Sequence, residues 1–588
     1  MTVFSKIGLK IGDKEIRDLQ IITLHQEVLK HHFLSVNIRR DQLESEEASV
    51  FTESKNLIGE GIKLSIEPDD TEKHEFKLEF IGTVTEIKTI RSNQFYGDII
   101  QINAASPDIQ MDDVSGYHAY EDMSLDDIVK KVLNRFKIKK QEIASKPNPS
   151  IHYAVQFNEN AFDFLKRLAI KYGQWFFYDG DTLYFGKIPK KNVKLEYGKD
   201  LFQFELSMKL HSFDYNYLVH DYKLSKHEKI AAKEMSGHIP KMANPAFDKS
   251  GRVFKNTANH FFSGSLNDYA SYQGIHDATK LSKAARISRL LICSGTSDDT
   301  SLTLGCTIEI TEEITSGEDK KTLNHGKYLV IAVSHKCDAN GHYQNNFTAI
   351  PLDVEAPPYT DPDFYVFAEA HSAVVTDNND PDKMGRIRVQ HFWQKDSGQQ
   401  TPWLRMVTPY AGNNKGMYFI PEVGEEVIVG FEGGNAERPY VIGSVYNGKE
   451  MPDGRWPAKD NDFKTIRSQS GHTIELIDKQ GKEEIKIYDG DPDSYNYSVT
   501  LASHSKKIIV EAKGDLEIKA NNIKITANQD LEIKATNINQ KADADLSLVA
   551  TSKMSLDGGA QMEQKASAKI SVNGGGQLEQ KAGLVKIN

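Results

Sequence analysis

The chain has 588 residues, 72 basic against 83 acidic, for a formal net charge of −11. That length leaves room for about four domains of ~150 residues, and the mildly acidic balance argues against nucleic acid or another polyanion as partner. Cys293, Cys306 and Cys337 are an odd set without CxxC spacing, which suggests neither a disulfide framework nor a zinc site and predicts three buried thiols.

The opening MTVFSKIGLKIGDKEIRD has neither an apolar core of signal-peptide length nor a small-residue cleavage site. The longest apolar run, Tyr328 to Val333, is far short of the ~20 residues that span a bilayer. The expectation is a soluble protein made in the cytoplasm, which leaves the cell without a signal peptide if it leaves at all. The first 105 residues read as strands: Leu19–Leu24, Lys63–Ile66, Phe76–Gly82 and Ile99–Ile102 alternate between turn-rich stretches. Two helices follow. Ser124 with Asp127 resembles a capping box ahead of Leu125, Ile128, Val129, Val132 and Leu133 at helical spacing. Asn160 can cap a second helix, Ala161 to Tyr172, that Gly173 ends. Then Gln174–Tyr178 and Thr182–Phe185 flank Asp179-Gly180-Asp181, a hairpin signal.

Residues 190–365 return to β character, with 229–285 the least legible stretch and Pro357-Pro358 to Pro362 a linker. From Ala368 to Gly448, the runs 385–389, 403–407, 426–431 and 440–445 alternate and are punctuated by Gly or Pro. Five or so such strands in about 80 residues suggest an OB-type barrel.

After a neck comes the most regular feature. Ten units of apolar, any, apolar-or-Gln, any, Ala-or-Gly recur every seven or eight residues from Ile508 to Ala582. Their first and third positions are Ile508; Leu516 and Ile518; Ile523 and Ile525; Leu531 and Ile533; Ile538 and Gln540; Leu546 and Leu548; Met554 and Leu556; Met562 and Gln564; Ile570 and Val572; Leu578 and Gln580. Spacing of two places them on one side of a strand; a coiled coil needs three or four. One strand and one corner per octad is too little for a solitary β-helix, and a lone ladder leaves unpaired edges. Three identical chains wound together satisfy every level, giving a rod of about 50 Å at roughly 4.8 Å per strand. The fold class expected is therefore mainly β, ending in an intertwined triple-stranded β-helix. The boundaries are 1–365 for the base, 366–450 for the barrel, 451–505 for the neck and 506–588 for the needle.

Barrel, neck and rod together resemble the VgrG family of type VI secretion and related contractile injection machines. The resemblance rests on Asp380-Pro381, Gly385-Arg386-Ile387-Arg388-Val389, Trp403-Leu404-Arg405, Ala411-Gly412, Ile420 to Val427 and Gly443 to Asn447 in the barrel. It rests also on Ser470 to Leu476 with Asp478, Gly481, Glu483 and Ile485 in the neck, and on Gln156 to Leu168 running on to Gly173. It implies a base of two phage-hub-like β-domains per chain and a homotrimer that presents a pseudo-sixfold ring to a hexameric inner-tube protein. It implies baseplate components and secreted effectors as partners, transient target-membrane contact, and a PAAR-type tip protein on the needle. Leu584, Val585, Ile587 and Asn588 are the expected docking residues. Nothing follows the rod, so no fused effector domain is expected.

No enzyme is expected, and no cofactor or metal. HExxH, GxSxG, P-loop and CxxC patterns are missing. Asp489, Asp491 and Asp493 begin like an EF-hand loop, but Ser494 and Thr500 stand where its Gly and Glu belong. Phe392, Trp393 and Trp403 offer stacking platforms, yet residues 371–450 carry ten acidic against eight basic side chains, the wrong sign for phosphates. His472 beside Glu475 reads as structural. The alternative function is a phage tailspike with glycan depolymerase activity, which needs a groove with paired carboxylates that a narrow prism does not offer.

Overall fold

The computed structural model describes residues 4–45, 51–68, 77–91, 98–264, 272–316, 319–491 and 493–587. The chain divides into two units, Met1–Pro457 and Ala458–Asn588.

Period-two alternation builds the first unit. In strand Gly61–Pro68, Ile62, Leu64 and Ile66 point to one face and are buried. Register sets Leu64 opposite Phe80 and Ile66 opposite Leu78 of strand Leu78–Ile90, so both strands give the same core their apolar face. Thirteen strands form one sheet, and the 20-residue strand Asp319–Asp338 joins its two lobes. Its last seven residues pair with Leu19–Glu27 of the first lobe. Residues 319–329 pair with Thr307–Ser316, and residues 328–337 pair with Tyr343–Pro351. Because Thr307–Ser316 also pairs with Asn192–Tyr197, the second lobe closes into a six-stranded ring around its own core. This is the tandem β-domain base.

Both expected helices are present with their caps. In α1 (Leu125–Leu133) the Ser124 hydroxyl accepts from the Asp127 N–H at 3.2 Å, and in α2 (Ala161–Tyr172) Asn160 accepts from the Asp163 N–H at 2.7 Å. Gly173 ends α2 at φ +63°, where a Cβ would lie 2.7 Å from Leu281 Cδ1, so both conformation and space require glycine. The Asp-Gly hairpin forms between Phe176–Tyr178 and Leu183–Phe185. The illegible stretch is a small subdomain. Strands Tyr215–Asp221, Lys226–Ala231 and Ala258–Phe261 form a sheet, with helices α3 (Asn244–Val253) and α4 (Tyr272–Ser288) in the same stretch. Its core holds Tyr215, Tyr217, Ile230, Phe262 and Ile275. The β character expected for 190–365 is thus accompanied by two helices in the stretch that was least legible.

The barrel carries four strands in the order Arg388–His391, His371–Asp377, Glu426–Phe431, Pro439–Ser444 around Ala373, Val375, Ile387, Val389, Leu404, Val427, Val429 and Val441. The expected strand 403–407 is not continuous. Leu404 bridges Ile387 beside one edge of the sheet and Met406 bridges Val441 on the other, so this segment closes the barrel by changing partners midway.

The second unit begins as a five-stranded antiparallel meander, Phe463–Arg467, Thr473–Ile477, Glu484–Tyr488, Tyr497–Ala502 and Lys507–Ala512. The first octad therefore closes this sheet. Among the described residues no strand follows Ala512, and residues 513–587 are all exposed.

Candidate functional site

The meander is inside out for a solitary chain. Register aligns Ile466, Ile474, Ile487, Val499 and Val510 in one row across its strands, and Leu476, Ile485, Leu501 and Ile508 in a second. These residues share one face, and all but the half-buried Val499 are exposed. Thr473, Glu475, Tyr488, Ser498, Thr500 and Ala502 alternate with them and are buried, with the Tyr488 hydroxyl donating to the Glu475 carboxylate at 3.3 Å. Leaving eight of these nine aliphatic side chains exposed forgoes part of the about 1.5–3 kcal/mol that full burial of each contributes. The octads extend the same condition: their sixteen apolar first and third positions, apart from the Val510 already in the sheet, range from 49% exposed at Met554 to 74% at Ile508. Leu584, Val585 and Ile587 are exposed beyond them, while Asn588 lies outside the described residues. Sequence reading separated neck from needle, although Ile474/Leu476, Ile485/Ile487 and Val499/Leu501 carry the same two-apart apolar pairs as the octads.

A second feature joins the base to the barrel within the first unit. Glu437 of the barrel is fully buried; its Oε1 lies 2.9 Å from Arg167 Nη1 and its Oε2 2.6 Å from Lys171 Nζ, both from α2. Arg167 also reaches Glu159 at 2.7 Å and donates to the Val155 carbonyl at 2.6 Å. Burial alone would push the Glu437 carboxyl up, but Lys171 and Arg167 hold it below the ordinary range. Arg167 lies within the hub-like segment read from sequence; nothing local marks Glu437. Arg388 Nη2 and Glu121, 2.6 Å apart, add a second base-to-barrel ion pair.

The remaining chemical candidates are absorbed by structure. Trp393 stacks on Tyr117 at 5.5 Å and on His391 at 5.4 Å, so it is not a free platform, although Phe392 is exposed. His472 Nδ1 lies 3.3 Å from the Tyr497 hydroxyl, and Glu475 engages Tyr488. Asp489 accepts from the N–H groups of Asn496 and Tyr497 at 2.8 and 3.0 Å, closing its loop on itself. All three cysteines are buried. Among the described residues no group of three or more His, Cys, Asp or Glu side chains is placed to hold a metal, and no helix is long and apolar enough to cross a membrane.

Tandem hub-like β-domains, an OB barrel locked to them and a repeat-bearing C-terminal segment define the hub-plus-spike class of contractile tail protein. Residues 34–341, just over half of the chain, match the family model described as phage tail baseplate hub (GPD). Residues 371–446 match the type VI secretion system/phage-baseplate injector OB domain. The chain belongs to the phage tail baseplate hub family and is a spike of the VgrG type. It is similar to the type VI secretion system spike protein VgrG5 of Pseudomonas aeruginosa, 24% identical over 69% of this chain and 56% of that protein. VgrG4b of the same organism is 31% identical over 30% of this chain and 24% of that one. The chain thus spans about half or less of these relatives' lengths. A solved Francisella PdpA-VgrG complex shares the fold, with a TM-score of 0.53 and 11% identity over 87% of this chain and 81% of that one.

Proposed function

We propose that three copies of this chain form the spike of a contractile injection machine of the type VI secretion kind. The base meets a hexameric inner tube and baseplate components. The rod pierces the target membrane, and its end carries a PAAR-type tip with effectors. The chain itself transmits force and performs no catalysis. One observation carries this reading: the apolar face of the meander continues into the first octad through Ile508 and Val510, so a single exposed stripe begins in the neck and is repeated ten times. Among the described residues of a single chain the stripe stays exposed. Two further copies cover it and pair its strand edges together, which is why covering and pairing select the same stoichiometry. The buried Arg167–Glu437–Lys171 cluster supports the force-bearing role, since it ties the barrel to the base through groups that water does not reach.

The test is location in the native machine. A tagged chain in sheared, contracted tails is expected at one end, co-purifying with sheath and inner-tube proteins. A chain found only free in the medium, and shortening capsular glycan there, contradicts the reading and favours a depolymerase.

A further inference from the structure

The small subdomain of the base ends in an open strand edge. Its sheet runs in the order Lys226–Ala231, Tyr215–Asp221, Ala258–Phe261, so the last strand has a neighbour on one side only. Ala258 pairs in parallel with Tyr215, and His260 with Tyr217. The Ala258 N–H donates to the Asp214 carbonyl at 3.2 Å and the Phe262 N–H to the Leu218 carbonyl at 2.8 Å. Backbone groups alternate in direction along a parallel ladder, so Asn259 and Phe261 turn their N–H and C=O groups to the outer edge. There the Phe261 carbonyl accepts only a long contact of 3.5 Å from the Ser263 hydroxyl. From Gly251 to Phe261 every residue is exposed. The strand is nonetheless clamped at its end. Phe262 is buried, the Ser263 N–H donates to the Asp363 carboxylate at 2.6 Å, and the Asn435 amide donates to the Ser263 carbonyl at 2.6 Å. The free edge is therefore preformed.

Composition sets this edge apart. Exposed edges are ordinarily blunted by charged residues or proline within the strand. Lys226–Ala231, on the opposite side of the same sheet, follows that rule with Lys226, Glu228 and Lys229. So does Lys14–Ile16 at the end of the large sheet, with Lys14 and Glu15. Ala258-Asn259-His260-Phe261 contains no Asp, Glu, Lys, Arg or Pro, and Phe261 is 57% exposed. The charge lies beside the strand instead. Lys249, Arg252 and Lys255 precede it within nine residues, are exposed, and have no ion-pair partner among the described residues. Residues 215–262 carry eight basic against four acidic side chains, in a chain whose net charge is −11. An uncharged edge with a positive rim fits an extended acidic peptide, because main-chain pairing supplies the affinity and the rim selects the sign of the partner.

We propose that Ala258–Phe261 is a docking edge for an acidic, extended segment of a partner protein, which joins this three-stranded sheet as a fourth strand. The inference needs the surface of one chain only and stands apart from the three-chain reading of the rod. It gives the subdomain, which no part of the spike's mechanical role requires, a task of its own: holding a partner on the flank of the base.

The full chain tests this by fluorescence anisotropy, with a short fluorescein-labelled peptide alternating Glu and Val as the probe. It is expected to bind about ten-fold or more tightly than the same peptide with Pro in place of Val, which keeps the charge but cannot pair, and than the peptide with Lys in place of Glu. Hydrogen exchange read by mass spectrometry is expected to show new protection across 258–261 when the probe binds. Phe261→Pro removes an outward N–H and leaves the ladder to Tyr215–Asp221 in place, and is expected to weaken binding several-fold. Arg252→Glu combined with Lys255→Glu, both at exposed positions, is expected to do the same without altering the strand, and decides the matter if Phe261→Pro does not fold. Equal binding of the Pro peptide or of a single-stranded oligonucleotide reduces the site to charge attraction and overturns the docking edge. So do protection that falls elsewhere, an affinity that ignores the charge-reversed pair, and the lack of any binding at about 100 μM probe.

Discussion

Glu437→Gln isolates the joint between base and barrel. The substitution keeps the side chain's shape and removes one charge from a cluster in which Glu437, Arg167 and Lys171 are all buried. Arg167 retains Glu159 at 2.7 Å and the Val155 carbonyl at 2.6 Å. The loss falls on both cations, since Lys171 Nζ gives up a carboxylate oxygen at 2.6 Å and Arg167 Nη1 one at 2.9 Å while both remain buried. Breaking a buried pair from one side costs about 3–5 kcal/mol. With a urea slope of roughly 1–3 kcal/mol per molar, the midpoint for barrel release falls by about 1 M or more. The reporter is the 19F resonance of fluorotryptophan at Trp393, which stacks on Tyr117 at the same junction. Lys171→Met in the Glu437→Gln background removes a buried charge that no longer faces a carboxylate and is expected to restore part of the loss, a coupling that contacting residues show. The pH dependence has a definite sign. Because the Glu437 carboxyl is held below its ordinary range, the parent has the full contribution above about pH 4.3 and loses it as pH falls through the lowered folded value. The variant lacks that acid-side loss. A midpoint shift under about 0.3 M, or a double variant no better than the single one, refutes the joint.

Other outcomes follow from the same structure. His32, His335 and His391 are buried, and burial lowers them to about 4, 3 and 4. Each is expected to cost about 2 kcal/mol at pH 5 relative to pH 6.5 and above, because only the unfolded chain binds those protons; replacing His391 with Phe should flatten this slope in pH-dependent urea titrations. His31 runs the other way. Burial pushes it down, but Asp108 and Asp112 at 3.1 and 3.2 Å outweigh that and raise it, so its stabilisation is complete below about pH 6.5 and fades as pH rises through the raised value. An NMR titration that finds His31 below 6.5 contradicts the clamp. Gln540, Gln564 and Gln580 occupy third positions of their octads; a high-resolution map of the assembled rod is expected to show three amides per level bonded to one another or to axial water, and Gln side chains in solvent refute the register. Truncation after Lys581 removes the exposed Leu584, Val585 and Ile587, and is expected to leave the assembly intact while abolishing tip binding by calorimetry; parental affinity in the truncated chain places docking elsewhere.

Local rules carried the base and barrel a long way. Ile62/Leu64/Ile66 alternate because one face of their strand is buried, and Ser124, Asn160 and Gly173 mark helix ends because caps and left-handed backbone demand those residue types. The octad is legible for the opposite reason, since it repeats, and a repeat needs no partner to be seen. What was missed is held together non-locally. Tyr272–Ser288 contains Gly274 and mostly small or polar residues, and becomes a helix by packing Ile275 and Ala278 beside Tyr215, Tyr217 and Phe262. Glu437 stands 270 residues from Arg167, and only the fold shows that its charge is buried and paired. The meander's exposed face was hidden by a different fault: its apolar pairs have the octad's spacing, but their hairpin connections break the octad's period.

The central claim is that the stripe running from Ile466 through the octads is covered by two further copies of the chain. The most direct measurement is the solution mass of the full chain by sedimentation equilibrium at micromolar concentration. The prediction is a species of three times the 66.1 kDa monomer, lost on deletion of residues 506–588 or on replacing Ile518, Ile525 and Ile533 with Asp. A stable 66.1 kDa monomer contradicts the account, because it would leave that stripe exposed to water.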